Sequence, residues 1–277
     1  MANTIGFGQG AVNNTNGFGK APTNNTIDFG EVCADSWSPE TNLTGTGGTP
    51  PFSNTYSTQY DGIDTEAVGS TTYSELDGDT QMTFSIWIKP TSATTSLIAS
   101  VEDNGSTEQF RVVFHSSRYI IFRTGTRDTR TANGSITLNV WTHILVCLDY
   151  GLTSGSKGKI FINGVDATSS DAQNATALAT SGGALYIGAR NISLGSRLPF
   201  VGLLDEAAIY SNSDLRNDVA TLYNSGVPNN LNDNGLTAPT SWYRFEEGSG
   251  TSIADSGTSS YNLTLDNTVT FETDVPT

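Results

Sequence analysis

The sequence is poor in cysteine, in basic residues and in charge overall. It contains two cysteines and 15% charged residues, and 13 lysines and arginines stand against 28 acidic residues, which gives a formal net charge of −15. A surface with this balance repels phosphate backbones and anionic lipid. The composition therefore disfavours nucleic acids and membrane surfaces as partners.

Long apolar runs are also missing. No segment approaches the roughly 18 consecutive apolar residues of a membrane span, and Met1–Ile5 shows no basic region followed by an apolar stretch. We therefore expect no membrane segment, no secretory signal, and folding in a cytoplasm. Cys147 lies in the apolar run 143–148, which predicts a buried, unreactive thiol. Spacing alone does not decide whether it pairs with Cys33.

Recognisable catalytic patterns are absent as well. The sequence has no nucleophile elbow, no phosphate-binding glycine loop and no Cys/His zinc pattern. Its two histidines, His115 and His143, are far apart in sequence, each on a predicted strand. Glu246 and Glu247 are adjacent, so on a strand they would point to opposite faces. These absences predict that the protein is not an enzyme.

A short repeat occupies the beginning of the chain. Phe7, Phe18 and Phe29 recur with a period of 11 residues in a Gly- and Asn-rich setting. So few copies, with one large apolar residue each, cannot build a core of their own. We interpret residues 1–50 as an extended arm that becomes ordered on assembly and docks its phenylalanines into a partner. The alternative is a flexible tail with accidental repetition.

From residue 51 onward the pattern is that of β-structure. Apolar and more polar residues alternate over 82–89, and Pro90 ends the run, as in a strand. Many short strands separated by turns favour an antiparallel sandwich, with residues 51–230 as its body and residues 231–277 completing or covering it. One short helix is expected within 214–224. Further strands are predicted at 110–114, 119–122, 141–150, 159–162, 185–187 and 204–210.

Five segments carry a family resemblance. They are Tyr56–Asp64 (YSTQYDGID), Phe84–Pro90 (FSIWIKP), Trp141–Ile144 (WTHI), Ile160–Val165 (IFINGV) and Phe200–Glu206 (FVGLLDE). In this order they resemble the laminin-G-like, or concanavalin A-like, lectin domain. The resemblance implies an all-β fold, an antiparallel jelly-roll β-sandwich, with Trp87 and Trp141 contributing to its core.

The C-terminal section departs from the usual order of that family. Residues 241–250 (SWYRFEEGSG) and 262–265 (NLTL) resemble the opening strands of the family, although here they come last. This implies a circularly permuted sandwich. The alternative is that these strands cover an edge or are exchanged within a homo-oligomer.

The opening residues 5–14 (IGFGQGAVNN), together with the permuted body, resemble structural proteins of aquatic tailed bacteriophages. The resemblance implies a non-enzymatic protein located in the virion, either a capsid decoration or head fibre or a tail appendage. Its arm would bind other virion proteins. The alternative is a carbohydrate-binding adhesin that attaches to a glycan on the host surface.

The resemblance also bears on metal binding and catalysis. Laminin-G-like sandwiches often hold calcium with Asp side chains and backbone carbonyls at one rim. Asp61 and Asp205 match such positions, so calcium is a candidate cofactor. Alternatively, Asp61 fixes its own turn and Asp205 satisfies buried backbone groups. Glucanases of this fold use a Glu-x-Asp-x-Glu strand, which this sequence lacks.

Positive charge is concentrated in one segment of this acidic chain. Arg123, Arg127 and Arg130 fall within 123–130 (RTGTRDTR), which we interpret as a loop. Guanidinium groups pair well with carboxylates, so the segment predicts contact with an anionic glycan or an acidic partner. The alternative is a solvated hairpin loop.

Sugar recognition also requires exposed aromatic side chains with polar groups nearby. Tyr119, Tyr186 and Tyr243 lie on strands. The sequence leaves open whether each is a core residue or a platform for a sugar ring.

Overall fold

Seventeen strands, numbered in chain order, form within the described part of the chain. The computed structural model describes residues 52–103, 108–190, 197–266 and 269–277, and the chain from residue 53 to residue 277 is one structural unit. The strands are β1 (Ser57–Asp61), β2 (Ala67–Gly69), β3 (Gln81–Pro90), β4 (Ser96–Glu102), β5 (Glu108–His115), β6 (Tyr119–Thr124), β7 (Arg127–Thr131), β8 (Thr142–Asp149), β9 (Gly158–Ile162), β10 (Val165–Asp166), β11 (Thr168–Asp171), β12 (Ala184–Ile187), β13 (Val201–Ser211), β14 (Ser241–Tyr243), β15 (Ser252–Ile253), β16 (Leu263–Leu265) and β17 (Thr270–Glu272).

These strands form two antiparallel sheets. The first sheet has the order β10-β9-β8-β3-β13-β1-β17, with β14 also paired to β13, and the second has the order β11-β7-β6-β5-β4-β12-β2-β16-β15. The arrangement confirms the predicted all-β, antiparallel sandwich. Within the described ranges, no helix is long and apolar enough to cross a membrane.

The core lies between the two sheets. On β3 the alternation works as predicted, because Phe84, Ile86 and Ile88 are fully buried in this core. The second sheet contributes Phe110 and Phe122, which are also fully buried. Burying one such side chain stabilises the fold by about 1.5–3 kcal/mol, so the aromatic-rich inner faces hold the sheets together.

The outer face of the first sheet is covered by a short helix, α1 (Val219–Tyr223), and a following 3-10 turn. The helix is shorter than the predicted 214–224.

Trp87 packs on this outer face of the first sheet, with its ring centroid 5.0 Å from that of His143 and 6.0 Å from that of Tyr223. The expectation that Trp87 belongs to the inter-sheet core was wrong, because strand alternation puts it on the opposite face from its core neighbours. Trp141 also lies outside that core and donates its Nε1–H to Asp274 Oδ1 at 2.8 Å.

Strands from the C-terminal section enter both sheets. In the first sheet β14 pairs with β13 and β17 pairs with β1. In the second sheet β16 pairs with β2. These pairings describe how the section is built into the sandwich, whereas circular permutation and homo-oligomer formation stay predictions.

The predicted docking residues of the arm, Phe7, Phe18 and Phe29, lie outside the described residues, as does Cys33.

Candidate functional site

One end of the second sheet carries a cavity of about 410 Å³. This volume falls in the range of small-molecule sites, roughly 300–1,000 Å³. The cavity opens where β2 and β4 end and β12 begins. Its lining is mostly small or polar and consists of Gly69, Ser70, Thr71, Thr72, Glu102, Asp103, Gly182, Gly183, Ala184 and Tyr186. We call it the rim cavity.

Two neighbouring glycines shape this cavity in different ways. A Cβ atom on Gly183 would lie 1.9 Å from the carbonyl oxygen of Glu102, so only glycine permits this close approach of two backbones. A Cβ atom on Gly182 would meet nothing within 4 Å. Gly183 therefore allows the wall of the cavity to pack against the β4 backbone, and Gly182 leaves open space beside that wall.

A row of directly opposed residues crosses the outer face of the second sheet next to the rim cavity. Their neighbours along the strands, among them Val101, Phe110 and Phe122, belong to the inter-sheet core, so the residues of the row point to the outer face. We call it the central row. It consists of Tyr186 on β12, Ser100 on β4, Arg111 on β5, Arg123 on β6 and Asp128 on β7.

Asp128, at one end of the central row, binds two arginines. Arg123 Nη2 donates to Asp128 Oδ2 at 2.9 Å, and Arg130 Nε donates to the same oxygen at 3.2 Å. Burial favours the protonated carboxyl, but the hydrogen bonds from Arg123 and Arg130 outweigh it and hold the pKa of Asp128 below its ordinary value. The carboxylate is therefore ionised, and the cluster of three carries one excess positive charge.

Two further ion pairs lie between the central row and the rim cavity. Arg190 Nη2 lies 3.0 Å from Glu102 Oε2, and Arg111 Nη1 lies 3.1 Å from Glu108 Oε2. Burial raises the pKa of Glu108, and the charge of Arg111 opposes that shift. Burial also lowers the pKa of Arg111. Each charge of this pair is thus costly to bury alone and is stabilised by its partner.

Polar atoms without a hydrogen-bond partner cluster on this face. Within the described residues they include the buried Ser100 Oγ, Arg111 Nε and Glu108 Oε1. A buried polar atom left unpartnered costs about 1–3 kcal/mol. These atoms are buried and do not line the rim cavity, so they mark a polar layer beneath the outer face.

The predicted loop 123–130 is in fact the hairpin of β6 and β7, closed by a two-residue turn at 125–126. The structure brings Arg123 and Arg130 together at Asp128. Arg127 is not with them: it sits at the turn, is exposed, and lines a second cavity of about 300 Å³ together with Tyr150. The prediction that 123–130 is a loop was wrong, because the turn takes only two residues and both strands continue up to it.

Sequence reasoning missed Arg111, Arg190 and Ser100. A signal for Arg111 was present, since it stands between Phe110 and Val112 on a predicted strand and must face away from the core. No sequence signal places Arg190, which lies after β12 and contacts a residue 88 positions earlier.

The three tyrosines left open by the sequence have different environments. Tyr243 is fully buried in the inter-sheet core. Tyr119 stacks on His115, with ring centroids 4.4 Å apart. Tyr186 is 9% exposed and packs on the outer face with Leu97 and Val113, where it also lines the rim cavity. Tyr186 is therefore the tyrosine that belongs to the candidate site.

The structure does not bring Asp61 and Asp205 together. Asp61 pairs in register with Val201, and Asp205 lies four residues further along β13, which corresponds to roughly 13 Å of strand. In the ranges that the structure describes, no three His, Cys, Asp or Glu side chains gather as metal ligands.

Each of these two carboxylates has a local role. Asp61 Oδ1 accepts hydrogen bonds from the Ile63 N–H at 2.8 Å and from Thr65 Oγ1 at 3.1 Å, so it fixes its turn. Asp205 accepts one from Asn54 Nδ2 at 3.0 Å, and its burial raises its pKa well above the ordinary value. Asp205 Oδ1 also accepts a hydrogen bond from the Glu206 backbone N–H at 2.9 Å, so this carboxyl satisfies a buried backbone group.

Comparison with known proteins identifies the type of domain. A laminin-G family model, described as the concanavalin A-like lectin/glucanases superfamily, matches residues 59–220, which is more than half of the chain. No curated protein matches the sequence.

Solved structures share this fold at low sequence identity. A candidate carbohydrate binding protein from Bacteroides ovatus aligns with a TM-score of 0.61 and 17% identity, over 82% of this chain and 62% of its own, so this chain spans less than two thirds of it. A heptameric SAP-like pentraxin from Limulus polyphemus aligns with a TM-score of 0.53 and 16% identity, over 80% and 96% of the two chains. The extracellular region of zebrafish Gpr126/Adgrg6 aligns equally well, over 80% of this chain and 26% of its own.

Proposed function

Because the chain belongs to the concanavalin A-like lectin/glucanases superfamily, we propose that it binds carbohydrate at the rim cavity and the central row. The observation that carries this proposal is a cavity of about 410 Å³, lined mostly by small or polar residues, on the same face as a row of charged side chains. Polar groups that converge on a preformed pocket are the usual means of fixing the orientation of a small polar ligand. The relation to a candidate carbohydrate binding protein agrees with this proposal.

Gly182 offers a way to block the cavity without disturbing the fold. A side chain there meets no atom within 4 Å of its Cβ. We expect Gly182→Trp to fill the cavity and abolish binding in a glycan array and in titration calorimetry, whereas Gly182→Ala keeps binding. Both variants should unfold at the wild-type temperature. Binding by Gly182→Trp at wild-type affinity would show that the ligand lies elsewhere.

We also propose that this site binds without cleaving. Glu102 and Glu108 face each other across β4 and β5, and a pair of carboxyl groups about 5 Å apart is what a retaining glycosidase uses. Here, however, Arg190 holds the first glutamate and Arg111 holds the second. We expect no release of reducing sugar from any glycan that binds. Release that disappears in Glu108→Gln would overturn this part of the proposal.

A role in a virion is a second proposal, based on the repeat in the arm. The regular spacing of Phe7, Phe18 and Phe29 favours docking of residues 1–50 to other virion proteins, with the sandwich projecting from a capsid or tail. Deleting residues 1–30 should abolish incorporation into particles while glycan binding and the thermal unfolding of the sandwich stay unchanged. Particles that incorporate the truncated chain normally would refute the proposal.

Calcium stays a proposal for Asp61 and Asp205, and Asp61 is the more accessible of the two. Its turn is exposed, and its carboxylate already has two partners. Titration calorimetry with calcium should detect binding that Asp61→Asn removes. The absence of a heat signal with the wild-type chain would refute it.

A further inference from the structure

Two arginines face each other directly across β5 and β6. Arg111 pairs in register with Arg123, at the centre of the central row. Like charges that lie directly opposite on a sheet destabilise it. The contact is therefore unfavourable by itself and calls for negative charge nearby.

The carboxylates of this face do not fully supply that negative charge. Four arginines, Arg111, Arg123, Arg130 and Arg190, form ion pairs with only three carboxylates, those of Glu102, Glu108 and Asp128. Four of the nine arginines of a chain with a net charge of −15 are thus gathered on one face. One positive charge is in excess among these ion-paired groups.

Both arginine side chains of this pair are accessible from solvent. The side chain of Arg111 is 16% exposed and that of Arg123 is 30% exposed. Burial lowers the pKa of Arg111, and the charges of Arg123 and Arg190 act in the same direction. An anion placed between these groups would relieve this repulsion.

We propose that the Arg111–Arg123 pair is an anion subsite that selects glycans bearing a carboxylate or sulfate group over neutral glycans. This inference rests on the proposed function, since the rim cavity would hold a sugar ring while the arginine pair holds the acidic substituent. Guanidinium N–H groups form charge-assisted hydrogen bonds with such anions. Because the rest of the protein is strongly acidic, the ligand carries isolated charges and is not a dense polyanion.

The test compares three glycan probes on the full chain by titration calorimetry: a neutral galactotriose, the same trisaccharide with one galacturonate residue, and the same trisaccharide with one sulfate group. Arg111→Gln would leave Glu108 buried without its ion pair and could destabilise the fold. The double variant Arg111→Gln/Glu108→Gln avoids this, because it removes the pair and keeps the net charge. Lys159→Gln/Asp166→Asn, which removes an ion pair between β9 and β10 of the other sheet, is the matched control.

We expect the double variant to bind the acidic probe that the wild type prefers at least tenfold more weakly than the wild type does, a loss typical of one hydrogen bond to a charged group. The affinity of the double variant for the neutral probe, and the affinity of Lys159→Gln/Asp166→Asn for all three probes, should stay within about twofold of the wild-type values. Preference for the carboxylate or for the sulfate probe identifies the anion. Equal affinity for neutral and acidic probes in the wild type refutes the anion subsite but keeps the proposed function. No binding of any glycan refutes the proposed function itself.

Discussion

Acidification should destabilise the sandwich through one histidine, His143. Its ring is completely buried between Trp87 and Tyr223, and its Nε2 shares a hydrogen bond of 2.8 Å with Ser85 Oγ. Its Nδ1 has no partner within the described structure. Burial lowers the pKa of His143 from 6.5 to about 3. The folded protein therefore keeps this ring neutral at any mildly acidic pH.

The sign of the effect follows from proton binding. Between pH 6.5 and about 3 the unfolded chain binds a proton on His143 that the folded chain does not. The free energy of unfolding therefore falls as the pH decreases below 6.5. Each pH unit contributes about 1.4 kcal/mol, so His143 costs about 2 kcal/mol at pH 5.

A buried carboxyl nearby acts in the opposite direction. Burial raises the pKa of Glu206 to about 8 although the charge of Arg244 opposes it, so the folded protein holds a proton that the unfolded chain releases. This group stabilises the fold progressively as the pH falls from about 8 towards its ordinary value of 4.5. Other buried carboxyl groups with raised pKa values, such as Asp205 and Glu108, act in the same direction as Glu206, so the wild-type profile combines several opposing contributions. Only the difference between variant and wild type isolates the histidine.

The assay is urea unfolding followed by tryptophan fluorescence at about pH 7 and about pH 5. His143→Gln can keep the hydrogen bond to Ser85 and does not titrate. We expect the wild type to lose about 2 kcal/mol more than this variant between the two conditions. Glu206→Gln is the matched comparison, and it should show a larger loss on acidification than the wild type. If the free energy of unfolding depends on pH equally in the wild type and in His143→Gln, His143 is not buried as a neutral ring.

Two further predictions concern packing and reactivity. Gly183→Ala should lower the free energy of unfolding, measured by urea unfolding, by about 3 kcal/mol or more, because its Cβ would collide with the Glu102 backbone. Gly182→Ala should be close to neutral in the same measurement, and a mild effect of both substitutions would contradict the backbone contact. In a Cys33→Ser chain, Cys147 should react with a thiol reagent about 10³-fold more slowly in the folded than in the unfolded state, because burial raises its pKa from 9.0 to about 12. Equal rates would show that the thiol is accessible.

The sandwich was predictable because its strands have strong local patterns. Alternation over 82–89 and the turns between short apolar runs were enough to give the class of the fold, and both reflect nearest-neighbour geometry. Strand β4 was not predicted. All of its side chains are buried, so it has no alternation of polar and apolar residues to reveal it. Trp87 was misplaced for a related reason: a helix covers the outer face of β3, so both faces of that strand bury large residues.

The site was predictable only in part, because it depends on register. Arg123 and Arg130 were singled out from local charge density, yet their partner Asp128 and their distance from Arg127 follow from a two-residue turn. The opposition of Arg111 to Arg123 requires knowing how β5 pairs with β6. A shift of one residue in that pairing would turn each arginine towards the core. Local sequence contains the residue types of this face but not their alignment.

The position of these arginines also explains how an acidic protein can recognise an acidic group. At physiological salt, charges more than about 8 Å apart are largely screened, so a ligand responds mainly to the charges that it contacts. The excess positive charge at Asp128, Arg123 and Arg130 acts over that short range, while the net charge of −15 acts over the whole molecule. The net negative charge of the chain repels a long, densely charged polymer. The local excess of positive charge holds a single carboxylate or sulfate on a sugar. Selectivity for sparsely charged glycans is therefore the expected result of placing this cluster on this chain.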